Sequence, residues 1–385
     1  MDNINQKLYK AAIIGCGRMS RGHAGAFGRL GMPVTAVADI SEEALNRAVS
    51  DYHAEKGYTD YRALLREIRP DIVAIVTPDA LHCEMVEEAA RAGVRGIVCE
   101  KPMAMDLGEA RRMLSACRAA GSVLTVSHQR YYMPQYAYAR ELLREGAAGR
   151  LISAEAFGFA GSIMTDGTHT IHMAMSLLGD PVPVHLIGMV DGNSDYRYFG
   201  HRCDHAGHVF VAFADKTFMQ LTWGGMNPSA PLKDRLHPLW DSGKYGYHAF
   251  TVHGELGSLT LSGDISVVRS EGNETLRLPE IGLTGGAAGV TAGRIRIPWP
   301  DQAGRSPSEY AGDLSRQAIA DEIADLIQAM ETGTDHPLSG ENGYRVLEVI
   351  MGIYESTRRR GVVRFPVEAS DNPFLAMCDN VVFPQ

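Results

Sequence analysis

The sequence predicts an α/β fold, in which a doubly wound parallel sheet precedes an α+β domain with a large, open and mostly antiparallel sheet. Up to residue 127, short apolar runs alternate regularly with helical stretches, which is typical of parallel strands covered by helices. After residue 128 the alternation ends, and strand-like runs follow one another through short turns. A chain of 385 residues is long enough for two domains, which we place at residues 1–127 and 128–385.

Composition and charge argue against several classes of protein. Hydrophobic residues make up 45% of the chain and charged residues 22%, as in soluble globular proteins. The net charge of −9 and the lack of a long basic run argue against a nucleic-acid partner. We find neither a signal peptide nor an apolar run of membrane-spanning length, so we expect no secretion and no membrane insertion. The six cysteines show no C-x-x-C spacing, which favours reduced thiols in the cytoplasm.

A glycine turn follows the first predicted strand, residues 11–14. It reads Gly15-Cys16-Gly17-Arg18-Met19-Ser20 and leads into a helical stretch that ends near residue 30. Glycines between a strand and a helix allow a tight turn and a close backbone approach, so that the helix N-terminus faces a pyrophosphate. The small Ser20 replaces the third glycine of the motif. The turn predicts a Rossmann-type dinucleotide site with contacts from Gly15, Gly17, Arg18 and Met19.

The second predicted strand, residues 34–38, ends in Asp39. A carboxylate at about this distance after a glycine turn binds the adenosine ribose hydroxyls and repels a 2′-phosphate. We therefore expect NAD rather than NADP as the cofactor. The alternative role for Asp39 is to cap the helix predicted at residues 41–49.

Polar residues also follow the strand predicted at residues 71–77. Thr77 and Pro78 stand at its carboxyl end, and His82 lies in the helix predicted at residues 81–92. Ligands bind beyond the carboxyl ends of parallel strands, so we expect all three residues on the nicotinamide side of the cofactor. The alternative for His82 is a first-turn helix residue that faces solvent.

Glu100 and Lys101 follow the apolar strand predicted at residues 94–99. Pro102 fixes its own φ and restricts the conformation of Lys101. A lysine held at this edge of the sheet is a candidate acid/base, and the alternative is an ordinary surface lysine. The other elements predicted for the first domain are helices at 61–69 and 106–120 and a strand at 122–127.

The second domain is predicted to hold one helix, residues 169–178, among its strands. A long loop at 227–248 is rich in proline, glycine and aromatic residues, and a second stretch, 282–293, is rich in glycine and predicted to be flexible. The predicted strands are residues 151–159, 184–190, 207–213, 218–223, 249–253 and 258–262.

Residues 201–208 form a polar cluster with the sequence His-Arg-Cys-Asp-His-Ala-Gly-His. Two histidines and a cysteine at alternate positions share one face of a strand, where they could ligate zinc. Closed zinc sites usually consist of two spaced pairs of ligands. We therefore predict no metal site and interpret the cluster as substrate contacts or ordinary packing.

Several motifs together resemble the Gfo/Idh/MocA oxidoreductase family. The first-domain motifs are the glycine turn, Asp39, Thr77-Pro78-Asp79-Ala80-Leu81-His82 and Cys99-Glu100-Lys101-Pro102-Met103-Ala104. The resemblance continues through His128-Gln129-Arg130-Tyr131-Tyr132-Met133-Pro134, through the strand turn at residues 252–259 and through the helices at 322–360. It covers nearly the whole chain.

The resemblance implies an NAD-dependent dehydrogenase that oxidises a secondary alcohol of a sugar, polyol or sugar derivative. It implies catalytic roles for Lys101, His169 and Asp166. It adds Gln129 to the cofactor contacts and implies substrate contacts from Lys101, Arg130, Tyr131, Thr165, Asp166, His169, His172 and Trp240. A homodimer or homotetramer formed through the open sheet is also expected.

The sequence departs from the family pattern at two positions of this motif. Thr165 stands where the family has an aspartate, with Asp166 one residue later, and His172 replaces a further aspartate. The alternative roles are helix capping for Asp166 and polar packing for His169 and His172. Trp240 could stack on the apolar face of a sugar ring or cover a subunit interface.

Other functions remain open at this stage. The enzyme could reduce a carbonyl in the opposite direction, or it could be a glycosidase that retains NAD and oxidises C3 only transiently. A non-catalytic sensor of NAD or sugar is less favoured, because a sensor needs no acid/base pair such as Lys101 and His169.

Overall fold

The computed structural model describes residues 9–158, 162–191, 197–198, 200–224, 248–270, 273–285 and 292–379. The chain forms two compact units, residues 1–129 with 315–345 and residues 130–314 with 346–385. Residues 315–345 therefore pack with the first unit, although they were expected within a second domain at 128–385. Trp240 and nearly all of the 227–248 loop lie outside the described residues. In the described part of the chain, no helix has the length and apolar character needed to cross a membrane.

The first unit contains a six-stranded parallel sheet in the order β3-β2-β1-β4-β5-β6. The strands are β1 (Ala11–Ile14), β2 (Val34–Ala38), β3 (Lys56–Tyr58), β4 (Ile72–Ile75), β5 (Gly96–Glu100) and β6 (Val123–Ser127). The helices are α1 (Ser20–Arg29), α2 (Glu42–Tyr52), α3 (Tyr61–Ile68), α4 (His82–Arg91), α5 (Leu107–Ala120) and the parts of α8 (Pro307–Thr332) and α9 (Gly340–Arg359) within residues 315–345. The predicted doubly wound parallel sheet is confirmed.

The order of the strands places a crevice beside β1. The chain moves outward from β1 to β2 and β3 and then returns to β4 on the other side of β1, and such a switch point is where open α/β sheets bind ligands. All residues of β1 and β4 are buried, which explains why their apolar runs were recognisable. β3 was not predicted, since Lys56 and Gly57 are exposed and no apolar run marks the strand.

The second unit is built on a nine-stranded sheet in the order β18-β17-β14-β13-β7-β12-β11-β8-β19. All neighbours in it are antiparallel except β7 and β12, which are parallel. Its strands are β7 (Leu151–Gly158), β8 (Pro183–Val190), β11 (Gly207–Phe213), β12 (Phe218–Trp223), β13 (His248–Gly254), β14 (Gly257–Leu261), β17 (Ile281–Gly285), β18 (Gly293–Ile295) and β19 (Val363–Arg364). Two small ladders pair β9 (Arg197–Tyr198) with β10 (His201–Arg202) and β15 (Ser266–Ser270) with β16 (Asn273–Arg277).

The helices of the second unit cover one face of this sheet. They are α6 (Pro134–Arg144), α7 (Gly167–Leu177), α10 (Pro373–Asp379) and the parts of α8 (Pro307–Thr332) and α9 (Gly340–Arg359) outside residues 315–345. On β8, Leu186 and Val190 are buried, whereas Ile187 and Met189 on the opposite face are 50% and 71% exposed. The large, mostly antiparallel sheet is confirmed, and one of its faces is open.

Two features of the second unit differ from the sequence prediction. Of the stretch at 282–293 that was expected to be flexible, the first residues belong to β17, which pairs with β14, and Gly293 begins β18. Residues 286–291 lie outside the described residues. Helix α6 was not predicted, although Pro134 occupies its first turn, a position that favours proline.

Candidate active site

The glycine turn of the first unit has the shape that a dinucleotide requires. Gly15 has a φ of +96°, and a Cβ at this position would lie 2.4 Å from the carbonyl oxygen of Val76, so only glycine fits. A Cβ on Gly17 would meet no atom within 4 Å, which leaves open space beside the turn. Ser20, the replacement for the third glycine, is buried and donates its hydroxyl to the Gly17 carbonyl at 2.5 Å. Arg18 is exposed and Met19 half-buried in the same turn.

Asp39 connects the end of β2 to this turn. Its Oδ2 accepts the backbone N–H of Cys16 at 2.7 Å, and its Oδ1 accepts that of Ser41 at 2.8 Å. Ser41 caps α2, because its side chain accepts the N–H of Ala44, so the capping role considered for Asp39 belongs to Ser41. The half-buried carboxylate retains lone pairs that can accept ribose hydroxyls. Burial, and secondarily the charge of Asp39, raise the pKa of the Cys16 thiol to about 12.

His82 joins the loops that follow β4 and β5. It is buried, and its ring nitrogens lie 2.9 Å from the carbonyl oxygen of Pro102 and 3.0 Å from that of Thr77. The alternative of a solvent-facing histidine is therefore wrong. Pro78 begins the short turn between β4 and α4. His82 thus fixes the backbone on both sides of the predicted nicotinamide position.

Glu100 is buried at the carboxyl end of β5, directly before the half-buried Lys101. Its Oε1 lies 2.8 Å from Nε2 of His23, which is fully buried in α1. Burial raises the pKa of Glu100, but the hydrogen bond and the charge of His23, with the charge of Lys101, outweigh it and lower the pKa overall. The carboxylate therefore stays ionised and ties the strand end that carries Lys101 to α1.

A second buried carboxyl group, Glu322 of α8, lies at the end of the neighbouring strand. It accepts hydrogen bonds from Ser127 at 2.8 Å and from Thr125 at 3.3 Å, and Ser127 is the partner of Glu100 in the β5–β6 ladder. Burial, opposed by these hydroxyls, raises the pKa of Glu322 to about 7. Neither His23 nor Glu322 was predicted from the sequence, although each is a polar residue within an apolar helix face. Gln129, the last residue of the first segment of this unit, is half-buried.

In the second unit, α7 carries the predicted substrate residues. His169 and His172 are 3% and 2% exposed and lie three residues apart on one face of the helix. Asp166 stands at the N-cap position, but its side chain makes no capping hydrogen bond, so the capping role considered for it is not observed. Thr165 is buried and donates its hydroxyl to the Ser162 carbonyl at 3.1 Å.

Tyr131 lies beside His172, with ring centroids 5.9 Å apart. The guanidinium of Arg140 stacks on the Tyr131 ring at 3.5 Å and also donates to the Tyr131 carbonyl. Tyr131 and Arg140 line a cavity of about 550 Å³, and so does Ser176, one turn beyond His172 on α7. The structure therefore brings Tyr131 and His172 together, and Tyr131 lines the cavity.

Arg130 belongs to a buried network that the sequence did not predict. Its guanidinium lies 2.6 Å from Nε2 of His248, and Nδ1 of His248 lies 2.7 Å from the hydroxyl of Thr170. The rings of His248 and His169 have centroids 6.5 Å apart. The contacts join residues up to 118 positions apart, so no local sequence pattern could have identified them.

The polar cluster at 201–208 centres on Asp204, which is fully buried. Its carboxylate accepts four hydrogen bonds, from the Ser162 hydroxyl, the Ile163 N–H, the Trp223 indole and the Tyr354 hydroxyl, at 2.5 to 3.0 Å. These bonds hold the loop that leads into α7. Among the residues that the structure describes, no group of three or more histidine, cysteine or acidic side chains is arranged to hold a metal ion.

Comparison with known proteins identifies the first unit. Residues 9–128 match the model of an oxidoreductase family with an NAD-binding Rossmann fold, GFO_IDH_MocA. The matched segment therefore resembles the NAD-binding part of Gfo/Idh/MocA oxidoreductases. The resemblance inferred from the motifs is thus confirmed.

Curated relatives of the chain have names of sugar and polyol enzymes. The chain is 36% identical over 191 residues to D-apiose dehydrogenase of Paraburkholderia graminis, covering 45% of this chain and 51% of the relative. It is 30% identical over 187 residues to inositol 2-dehydrogenase of Rhizobium meliloti, covering 45% and 56%. The chain therefore spans about half the length of these curated relatives.

Solved structures share the fold over most of the chain. An oxidoreductase from Agrobacterium radiobacter, in complex with NAD⁺, L-tartaric acid and magnesium, superposes with a TM-score of 0.74 at 18% identity, covering 92% of this chain and 98% of its own. Levoglucosan dehydrogenase in complex with NADH superposes with a TM-score of 0.72 at 20% identity, covering 94% and 100%. At these identities the likeness shows the fold alone.

Proposed function

We propose that the protein is an NAD-dependent dehydrogenase that oxidises a secondary alcohol of a sugar, polyol or sugar derivative. The proposal rests chiefly on one observation. The first unit contains both a glycine turn, to which Asp39 is hydrogen-bonded, and Lys101, which directly follows β5. The names of the relatives, D-apiose dehydrogenase and inositol 2-dehydrogenase, support a carbohydrate substrate.

The first unit fits a nicotinamide dinucleotide. Gly15 allows the backbone to approach closely, the space beside Gly17 admits a pyrophosphate, and Arg18 and Met19 flank it. The Asp39 carboxylate accepts ribose hydroxyls and repels a 2′-phosphate, which favours NAD over NADP. When bound, the cofactor accepts a hydride from the substrate carbon.

Lys101 and His169 supply the proton chemistry in this proposal. Lys101 donates a hydrogen bond to the reacting hydroxyl oxygen, while His169 accepts its proton or orients it. Asp166, Thr165, His172 and Tyr131 contact the other hydroxyls of the substrate. Thr77, Pro78, His82, Glu100 and Gln129 position the nicotinamide.

The test measures NADH absorbance while the purified protein is mixed with NAD and a panel of pentoses, hexoses, inositols and glycosides. With the substrate found, Lys101→Met is expected to lower kcat by about 10²- to 10⁴-fold, the range that a positioned acid/base contributes, and to leave the Kd for NAD nearly unchanged. His169→Asn is expected to lower kcat less and to change its pH profile.

The matched control is Lys10→Met, which removes an exposed lysine of the same unit and is expected to leave turnover unchanged. Full turnover by Lys101→Met would refute the assignment of Lys101. An unchanged pH profile in His169→Asn would refute a proton role for His169.

A second candidate is a reaction without net oxidation, in which NAD is retained. One relative is named 2,7-anhydro-N-acetylneuraminate hydratase and is 34% identical over 91 residues, covering 24% of each chain. Another relative is named 1,5-anhydro-D-fructose reductase and is 33% identical over 133 residues. Its name supports a third candidate, reduction of a carbonyl group. Sugar release from a glycoside without NADH formation would favour the retained-NAD reaction, and NADH consumption with a keto sugar would favour the reductase.

We also propose that the protein is a cytoplasmic homodimer or homotetramer that associates through the open face of the nine-stranded sheet. Phe157, Ile187 and Met189 expose 43%, 50% and 71% of their surface there, and a patch of exposed apolar side chains on a sheet face is typical of an interface. The six cysteines, all within the described residues, form no disulfides, which supports a reducing compartment. Light scattering that gave a monomer mass would refute the association.

A further inference from the structure

The hydrogen bonds of His248 determine which of its nitrogens carries the proton. Arg130 can only donate hydrogen bonds, and its guanidinium lies 2.6 Å from Nε2 of His248. Nε2 must therefore be an acceptor, and the ring proton must lie on Nδ1, which donates to the Thr170 hydroxyl at 2.7 Å. This arrangement is possible only for a neutral imidazole.

The charges around His248 oppose one another. Oδ2 of Asp264 lies 3.6 Å from Nε2 of His248 and favours a protonated ring, but it also lies 3.3 Å from Nε of Arg130. The other oxygen of Asp264 accepts the Tyr136 hydroxyl at 2.7 Å. Arg130 is the nearer group to Nε2, and its guanidinium occupies the direction in which a second ring proton would point.

The neutral ring matters because of the helix that it contacts. Thr170 follows His169 in α7, and His248, Thr170 and His169 are 1%, 0% and 3% exposed. The His248 and His169 rings approach edge to face with centroids 6.5 Å apart. In so buried a place, a cationic His248 would oppose the protonation of His169, since nearby like charges are weakly screened.

We propose that Arg130 is a positioning residue that keeps His248 neutral, so that His248 holds α7 at Thr170 and His169 remains the imidazole that exchanges protons. The proposal rests on the proposed function, in which His169 acts on the substrate proton. It gives Arg130 a role different from the substrate contact that the motif implied.

The first test reads the protonation of His248 directly. The full chain is labelled with ¹⁵N-histidine, and the signal of His248 is identified by its absence in His248→Asn. We expect the wild-type signal to keep the shifts of a neutral Nδ1–H ring between about pH 5 and 8, the range in which free histidine titrates. In Arg130→Met the ring should titrate within that range, and in Arg130→Lys, which restores a cationic donor, it should again not titrate.

Titration of His248 in the wild-type protein would overturn the proposal, and so would a non-titrating ring in Arg130→Met. Because this test needs no substrate, it decides the state of His248 even if no dehydrogenase activity is found. Circular dichroism of each variant confirms that it is folded. If Arg130→Met does not fold, Arg130→Gln removes the charge while keeping an amide donor and is expected to let the ring titrate.

The second test follows kcat against pH with the substrate from the panel. Arg130→Met is expected to add an ionisation to the acid limb and to lower kcat roughly tenfold to a hundredfold more at pH 6 than at pH 8. Thr170→Val should lower kcat at all pH values without a new ionisation. Thr222→Val, which removes an exposed histidine–threonine contact with His208 on β11 and β12, is the matched control and should leave the profile unchanged.

Parallel pH profiles for wild type and Arg130→Met would overturn the link to His169. If instead the NMR result holds and no substrate is turned over by the wild type, the proposed function fails and the state of His248 stands.

Discussion

The two units each bury an acidic side chain, Glu322 in the first and Asp204 in the second, and they compensate it differently. Asp204 accepts four hydrogen bonds, one of them from a backbone N–H and one from an indole. Glu322 accepts two from hydroxyl groups, and one of these is 3.3 Å long. Asp204 therefore has twice as many hydrogen-bond donors as Glu322 to offset the cost of burying its charge.

Burial disfavours the charged form of both groups. Burial raises the pKa of Asp204, and each of its four hydrogen bonds lowers it in part. Burial also raises the pKa of Glu322, to about 7. The hydrogen bonds from the two hydroxyls and the charge of His23 lower this pKa, and the charge of Glu100 raises it further. Asp204 thus has four donors that offset the cost of burial, and Glu322 has two.

The largest effect is expected from Asp204→Ala. The substitution leaves four buried donors without their acceptor, and removing one partner of a buried charged network typically costs about 3 to 5 kcal/mol. Urea denaturation followed by fluorescence should show this loss in the free energy of unfolding. Asp215→Ala, which removes an exposed acceptor of Thr217 in a turn, is the control and should cost no more than about 1 kcal/mol. Equal losses in the two variants would break the comparison.

An intermediate effect, dependent on pH, is expected for Glu322→Gln. The folded-state pKa of about 7 lies above the ordinary value of 4.5, so the protonated carboxyl group stabilises the fold fully below pH 4.5. That stability is lost as the pH rises through 7, by about 3 kcal/mol at 1.36 kcal/mol per pKa unit.

Unfolding free energies measured at several pH values between about 4 and 8 test this prediction. The wild-type protein should lose stability relative to Glu322→Gln across that window, because glutamine does not titrate. A constant difference between the two proteins would show that Glu322 is not the titrating group.

The smallest effect is expected for Arg150→Ala. Arg150 and Glu255 form an ion pair at 2.7 Å, but their side chains are 67% and 50% exposed. Exposed pairs contribute about 0 to 1 kcal/mol and are screened by salt. Thermal unfolding at low and high salt should detect little change, and a loss as large as that of Asp204→Ala would contradict the importance of burial.

The sequence predicted more of the first unit than of the second because the first unit's signals are local. The strands of the parallel sheet are short apolar runs, and the glycine turn and Asp39 lie within one strand–helix–strand unit. Even Glu322 leaves a local trace, since it stands between Ile319 and Ile323 on a buried helix face. A charged residue in such an apolar pattern marks a buried polar group.

The polar contacts of the second unit leave no local pattern in the sequence. Asp204 bonds to Tyr354, 150 residues away, and Thr170 bonds to His248, 78 residues away. The strand pattern predicted β11 and β12 correctly, but it could not show which polar residues the folded chain brings together. The cluster at 201–208 stands out in the sequence because its histidines and cysteine are possible metal ligands. In the structure, its Asp204 makes the buried hydrogen bonds to Ser162 and Trp223.

The two margins of the nine-stranded sheet have a consequence for how copies of the chain can associate. The outermost strands, β18 and β19, contain only three and two residues, so they offer few backbone groups to an incoming strand. Short edge strands are a common protection against the edge-to-edge strand addition that leads to aggregation. In the proposed homo-oligomer, the short margins leave the apolar sheet face as the surface through which copies associate, and they disfavour uncontrolled growth of the sheet by strand addition.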